Sequence, residues 1–422
     1  MRVILVSVGT DGDVFPYVGL GTEMRARGHP VTLVASAQYE ALSGKHGFTF
    51  AALVSAEENQ QLFGHPDFWN PLKTGPLMAR WGVLYIERQY NLLATLIADD
   101  TVLVANPGVL AAGLIHEKQG VPLVSLVLQP WMIPSSIAPP VMPGLAFLRR
   151  APRFVWQALW RVLDIGVDRL VGPSLNRFRA SLSLPPSRHI IQKWLSPQLV
   201  VGLFPEWYGP PQTDWPAQMR LTGFPLFDGV QGEELDTPLL EFCQAGTPPV
   251  AFTFGTGMAH PAELFRAARA ACQLLGLRGI FLTKYKDQLP TPLPPTILHR
   301  AYAPFRKLFP RCAAVVHHGG IGTVATAMAA GIPQLICPLC FDQPDNGARV
   351  RELGVGSCLK HGANGRRIAK ALTWMLTQET RARCRAIASR LANSKAMELT
   401  ARQIEGMKPF LKDPFGGRQY KI

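Results

Sequence analysis

No cysteine occurs in the first 242 of the 422 residues, and the seven that follow (243, 272, 312, 337, 340, 358, 384) are odd in number and share no framework spacing. This is no disulfide scaffold, and reduced cytoplasmic thiols are expected. Charge is also sparse, at 17% of residues against 47% hydrophobic, with 38 Gly and 37 Pro. That balance excludes a disordered, collagenous or coiled-coil chain and leaves ample material for two large buried cores. A secretory leader is missing from view, because Met1 to Val8 is a short β-rich run that goes straight into a glycine turn. A cytoplasmic protein is expected. The stretch Val121 to Leu148 has no charged side chain but holds six prolines, which would break a spanning helix. It reads as a loop-rich apolar wall.

Acidic residues are scarce: 29 Asp and Glu face 43 Lys and Arg, for a net charge of +14. Residues 149–179 hold seven Arg against two Asp, and residues 381–422 hold ten Lys or Arg against three acids. These segments suit a phosphorylated substrate, peripheral contact with an anionic membrane, or solvated helix faces. Phe154, Trp156 and Trp160 among the first set of arginines add weight to the membrane surface. Nothing matches a zinc-finger, RNP or basic-zipper pattern, so no nucleic-acid partner is expected.

The chain opens as a βαβ unit: strand Val3 to Val8, turn Gly9 to Asp13, helix Pro16 to Arg27, strand Pro30 to Ser36. Apolar runs at Thr101–Ala105, Pro122–Leu128 and Leu199–Leu203 have the character of buried parallel strands. A segment dense in Pro, Gly and Trp lies between Phe204 and Gly232, and the pattern then restarts with strand Pro249–Phe254, turn Gly255-Thr256-Gly257 and helix Pro261–Gly276. Two α/β units are predicted, residues 1–215 and 216–400, with a cleft between them lined by both glycine turns and a segment 401–422 returning to the first unit. One basic helix from about Glu379 to Met407 is expected to brace them.

The most informative segment is Ala313 to Gly356. A strand runs into His317-His318-Gly319-Gly320-Ile321-Gly322-Thr323 and an alanine-rich helix. Glycines there let backbone N–H groups approach an anion and the helix N-terminus adds positive charge, so a diphosphate fits, with His317 as a further donor. The next junction brings Asp342 and Gln343 to the same sheet edge, where a carboxylate and an amide can bind neighbouring sugar hydroxyls. Cys337 and Cys340 have redox C-x-x-C spacing only, without a thioredoxin context. Asp11-Gly12-Asp13 spells a metal-binding D-x-D but sits in the first βα turn, and no metal is expected.

The strings H-x-G-G-x-G-T, A-G-I-P-Q and P-x-x-x-D-Q-x-x-N resemble the nucleotide-sugar signature of family-1 inverting glycosyltransferases with the GT-B fold. The opening V-G-T-D-G-D-V-F-P-Y resembles the bacterial and sterol-type branch, and TGFPLFDG, RGIFLT and RAYAPF are most similar to the rhamnosyltransferases of rhamnolipid synthesis within it. The resemblance implies two facing Rossmann-like doubly wound domains and transfer of a sugar from a nucleotide diphosphate sugar, of dTDP-rhamnose or UDP-glucose type, to a hydroxyl of a hydrophobic small-molecule or lipid acceptor. The nucleotide sugar is a co-substrate, with no other cofactor. Asp13 then matches the general base, its alternative being a helix cap. Thr10, Thr256, His317, Gly319, Gly320, Gly322 and Thr323 match the phosphate-facing positions, Tyr302 the aromatic that stacks on the nucleobase, and Asp342 and Gln343 the sugar ligands. The base motif has Phe305 where relatives carry Gln, and Ala325 replaces a ribose-binding Glu; both suit a deoxythymidine donor without excluding a uridine one. Acceptor recognition falls to the first domain, whose variable loops carry Trp69, Trp81, Tyr85, Tyr90, Trp131 and Phe147. The competing classes are a nucleotide-sugar epimerase, a dinucleotide oxidoreductase, for which the first turn does not match G-x-G-x-x-G, and a non-catalytic sugar-nucleotide-binding subunit.

Overall fold

The computed structural model describes residues 1–70, 73–227, 229, 234–255, 262–359 and 362–411. Seven strands form the first sheet: β1 (Arg2–Val6), β2 (Val31–Ser36), β3 (Thr49–Val54), β4 (Thr101–Ala105), β5 (Leu123–Val127), β6 (Leu199–Gly202) and β7 (Met219–Leu221). Their order is β3-β2-β1-β4-β5-β6-β7, and every pair is parallel. The second sheet comprises β8 (Val250–Thr253), β9 (Gly279–Leu282), β10 (Ile297–Arg300), β11 (Ala314–His317), β12 (Gln334–Ile336) and β13 (Gly356–Cys358). It runs β10-β9-β8-β11-β12-β13, again all parallel. Both units are doubly wound, and strand order reverses at β1/β4 and at β8/β11, the places where such sheets open a crevice beyond their carboxyl ends.

Strand periodicity accounts for the packing. Val3 and Leu5 enter one buried cluster with the Asp11–Ala26 helix, while Ile4 and Val6 enter another with the Thr74–Leu96 and Leu110–Gln119 helices. Fully burying each such side chain contributes about 1.5–3 kcal/mol. The first helix starts five residues earlier than its apolar pattern suggests, because Thr10 and Asp13 form a reciprocal capping box that recruits the polar turn. Strand β3 was not legible from pattern, since TFAALV does not alternate and its burial is mixed.

The two units share a core as well as a cleft: Val127, Val200, Phe204 and Phe224 pack in one cluster with Val324, Met328 and Ile336. The predicted single basic helix is two, Gln378–Leu391 and Ala396–Glu405, broken at Ala392-Asn393-Ser394-Lys395, where Asn and Ser favour a turn. The break lets the last helix cross back. Ala401, Ile404 and Met407 join the first unit's core, Thr222 and Thr400 share a buried hydroxyl contact of 2.8 Å, and Glu405 accepts from Arg27 (2.6 and 3.2 Å) and His29 (2.9 Å). These partners hold the Glu405 carboxyl down to about 2.

Candidate active site

The turn after β1 places Asp13. Its Oδ2 accepts from the Thr10 backbone N–H at 2.8 Å and from the Thr10 hydroxyl at 3.2 Å, and Ser7 Oγ donates to its carbonyl at 2.9 Å. Asp13 is thus a helix cap and, with the same carboxylate, part of a cavity wall. Loss of solvent at that wall pushes its carboxyl up to about 6, against the lowering effect of the Thr10 bonds, with the Asp11 charge adding a little. Gly9 (φ +144°) makes room: a Cβ there would collide with the Asp13 carboxylate. Asp11, two residues earlier, accepts from the Tyr39 hydroxyl at 2.9 Å.

Across the cavity the β11 turn corrects the assignment of its first histidine. His317 is wholly buried; its Nδ1 accepts from the Gly319 N–H at 3.1 Å, which leaves Nε2–H to donate to Gln334 Oε1 at 3.0 Å. Both ring nitrogens are committed to the turn, so none is left for a phosphate. His318 lines the cavity instead, with Nδ1 buried and lacking a hydrogen-bond partner among the described residues. Burial pushes both imidazoles down, His317 to about 3 and His318 to about 4, and keeps them neutral. Gly319 (φ +101°) and Gly320 lead into the Ile321–Ala330 helix; a Cβ on Gly320 would lie 2.7 Å from His318 Nε2. Gly320, Gly322 and Thr323 line the cavity at this helix N-terminus, a ready anion site, whereas Gly319 shapes the turn behind it.

Asp342 and Gln343 open the Gln343–Glu352 helix. Asn346 Nδ2 donates to Asp342 Oδ2 (2.6 Å) and to Gly319 O (2.9 Å), and Tyr208 of the first unit donates to Asn346 Oδ1 at 2.8 Å. The Asp342 loop and the Gly319 turn are therefore tied together through one amide. Gln343 Oε1 accepts from the Leu339 and Cys340 N–H groups at 2.7 and 3.1 Å. Burial raises the Asp342 carboxyl to about 7, opposed by the Asn346 bond and helped by the nearby Asp13 charge. Two carboxylates, one after β1 and one after β12, thus feel each other across the cleft.

One cavity of about 440 Å³ joins these parts. Thr10, Asp13, Tyr302, His318, Gly320, Gly322, Thr323, Asp342 and Gln343 all face it, as do Ala325 and Phe305, while Thr256 lies outside the described residues. The first unit contributes Trp69, Trp81, Tyr85 and Trp131, with Trp81 and Tyr85 stacked at 5.2 Å. Phe147 does not join them: it is 76% exposed on a short turn outside the cavity, and Tyr90 is buried in the core against Phe178. Residues the sequence did not single out also line the site. Gln129 Oε1 is buried at the wall with no hydrogen-bond partner among the described residues, as is Nε1 of the already expected Trp131, and Phe341 presents its ring there. No periodic or motif signal marks Gln129 or Phe341; for His318 the doubled histidine was the available clue. Among the described residues no group of three or more His, Cys, Asp or Glu is arranged to hold a metal ion. Burial pushes the Cys337 thiol up to about 12, the direction that disfavours a reactive thiolate.

Comparison with known proteins matches two separate family models to this chain. The model of the glycosyltransferase family 28 N-terminal domain matches residues 3–137, and that of the erythromycin biosynthesis protein CIII-like C-terminal domain matches residues 280–406. Glycosyltransferase GtfE of Amycolatopsis orientalis is 31% identical over 404 residues, which cover 92% of this chain and 93% of that protein. The sterol 3-beta-glucosyltransferase of Pichia angusta is 27% identical over 89% of this chain, and the match spans 31% of that longer protein. Among solved structures, the spinosyn rhamnosyltransferase SpnG complexed with thymidine diphosphate superposes with a TM-score of 0.68 at 19% identity, covering 96% of this chain and 100% of that one. Two all-parallel switch-point domains around one cleft, together with a relative such as GtfE matched over nearly its whole length, mean that this chain belongs to the GT-B glycosyltransferases of the family-1 and family-28 type, enzymes that take their sugar from a nucleotide-sugar co-substrate.

Proposed function

We propose that this glycosyltransferase is inverting and that Asp13 is its base. The Asp13 carboxylate takes the proton of an acceptor hydroxyl as that oxygen attacks the anomeric carbon; the bond from this carbon to the diphosphate oxygen breaks, and the diphosphate leaves with the electron pair. The charge arriving on the diphosphate is met by the Gly320–Thr323 helix N-terminus and by the neutral His318 ring, donors already in place. Asp342 and Gln343 hold sugar hydroxyls, Thr10 steadies the base, and Tyr302, 46% exposed at the cavity mouth, stacks on the nucleobase. The observation that carries this reading is the convergence on one cavity of Asp13, from the first sheet's switch point, and Asp342, from the carboxyl end of β12 in the second sheet.

The donor in this reading is a deoxythymidine diphosphate sugar of rhamnose type. Ala325 and Phe305 offer the nucleotide side no group for a ribose diol, and SpnG, a rhamnosyltransferase by description, is a structural neighbour with thymidine diphosphate. The alternative is a UDP-glucose donor with a sterol, terpenoid or phenolic acceptor, supported by the likeness to a sterol glucosyltransferase. In either case the tryptophans and Tyr85 of the acceptor wall favour a hydrophobic small molecule or lipid, reached in the cytoplasm with peripheral contact to a membrane.

Thermal-shift binding of the purified protein with dTDP-rhamnose and UDP-glucose tests the reading, because a ligand of the folded state raises Tm by mass action. A larger shift with dTDP-rhamnose is expected. A larger shift with UDP-glucose moves the assignment to the alternative, and no shift with any nucleotide sugar overturns the site.

A further inference from the structure

We infer that the outer face of the Arg153–Leu170 helix is a docking surface for an anionic lipid bilayer. The inference rests on the proposed lipidic acceptor for its purpose but not for its geometry. The inward face of this helix is fully engaged. Trp156 is buried and its indole N–H donates to Leu148 O at 2.9 Å, and the Trp160 N–H donates to Ser135 O at 3.0 Å. Both acids of the helix turn inward too: Asp164 accepts from Ile191 N–H (3.0 Å) and pairs with His189 Nδ1 (2.9 Å), and Asp168 accepts from the His189 and Ile190 N–H groups.

What remains outside is apolar and cationic. Phe154, Val162, Ile165 and Leu170 are 68%, 65%, 47% and 43% exposed, and Phe147, on the turn that precedes the helix, is 76% exposed. Phe154, Ala158, Val162, Ile165 and Arg169 follow i, i+4, i+8, i+11, i+15, one continuous helical stripe. Arg150, Arg161, Arg169 and Arg177 are exposed in and around it, with no ion-pair or hydrogen-bond partner among the described residues. Exposed apolar side chains in such number on one helix are a poor surface to leave in water, and cations with their acids withdrawn suit a negative one.

The chemistry distinguishes the occupants. A second copy meeting this face by two-fold symmetry would bring the same unpaired arginines together, an unfavourable contact. A bilayer asks only for apolar depth and a cationic rim, and the stripe offers both. The indole bonds tie the helix to the 129–148 loop, whose first residues line the acceptor wall, so a docked enzyme would hold that wall close to the lipid.

The experiment is co-sedimentation of the full chain with phosphatidylglycerol-containing vesicles and with pure phosphatidylcholine vesicles. Binding to the anionic vesicles alone, weakened by salt and reduced about tenfold or more in both Val162→Glu/Ile165→Glu and Arg161→Ala/Arg169→Ala variants, is expected. Thermal shift by the nucleotide sugar should be unchanged in both, which separates this result from any failure of the donor site. Absence of binding, binding undiminished in the variants, or a dimer in light scattering that the Val162→Glu/Ile165→Glu variant dissociates would overturn the inference.

Discussion

Phe341 places its ring 5.0 Å from that of Phe68, so the residue immediately before Asp342 in one domain is held by an aromatic of the other. Trp69 packs on the same ring at 6.0 Å, and the Thr74 hydroxyl lies 3.8 Å from Cys340 Sγ. Phe341 has φ +56°, a conformation that costs energy for a bulky side chain and that the surrounding contacts must maintain. Phe68, Trp69 and Thr74 of the first domain and the Cys340–Asp342 loop of the second are consequently packed as one unit.

Phe341→Ala should therefore disturb Asp342 without touching the nucleotide end. An aromatic contact of this kind is worth about 0.5–1.5 kcal/mol, so a roughly two- to twelvefold rise in KM for the sugar nucleotide is expected. Calorimetric affinity for the bare nucleotide should stay within about twofold. Equal losses for both ligands would make Phe341 merely structural.

The two histidines should separate cleanly. His317→Ala leaves Gln334 Oε1 and the Gly319 N–H without their His317 partner in the core, a cost of about 1–3 kcal/mol that differential scanning calorimetry would record as a lower Tm. His318→Ala removes a cavity-facing group instead, and should lower kcat by about a hundredfold or more with little change in Tm. The reverse pattern would restore the assignment made from the motif alone.

Asp13 links activity to stability. Its folded carboxyl sits at about 6, above the ordinary value of 3.8, so its contribution to stability is complete below the unfolded value and is lost as pH rises through about 6. Asp13→Asn should accordingly raise Tm at pH 8, by a gain of about 2 kcal/mol after allowing for the open cleft, and leave it nearly unchanged at pH 4. Turnover runs the opposite way, since the base must be ionised: kcat/KM should climb through about pH 6 to a plateau.

Gln129 offers a smaller test of the acceptor wall. Its buried carbonyl oxygen lacks a partner among the described residues, so Gln129→Leu should leave Tm level or slightly higher while raising KM for a hydroxyl-bearing acceptor by about tenfold. An unchanged KM would detach Gln129 from acceptor binding.

Much of this was legible in the sequence, for identifiable reasons. Buried parallel strands are short, apolar and β-branched, so β1, β2, β4, β5, β6 and β8 stood out, and the glycine turns after β1 and β11 marked the switch points. Thr10, Asp13, Asp342 and Gln343 could be expected at the cavity because the βα junctions that carry them were legible. His317 was misassigned because sequence order cannot say which of two adjacent side chains points inward; register does, pairing His317 with Thr253 and Ile336 inside the sheet. Phe147 was misplaced because an apolar residue in a loop carries no directional signal. Phe341 and Gln129 left no trace, since their importance comes from contacts and cavity walls built by distant parts of the sequence.

The most direct test is sugar transfer by Asp13→Asn, measured with a nucleotide-sugar donor and a hydrophobic acceptor alongside the variant's nucleotide affinity. Loss of the base should lower kcat by about 10²–10⁴-fold, with nucleotide affinity unchanged within about twofold. Turnover retained near the parent rate would contradict the central claim and pass the proton to another group in the cleft.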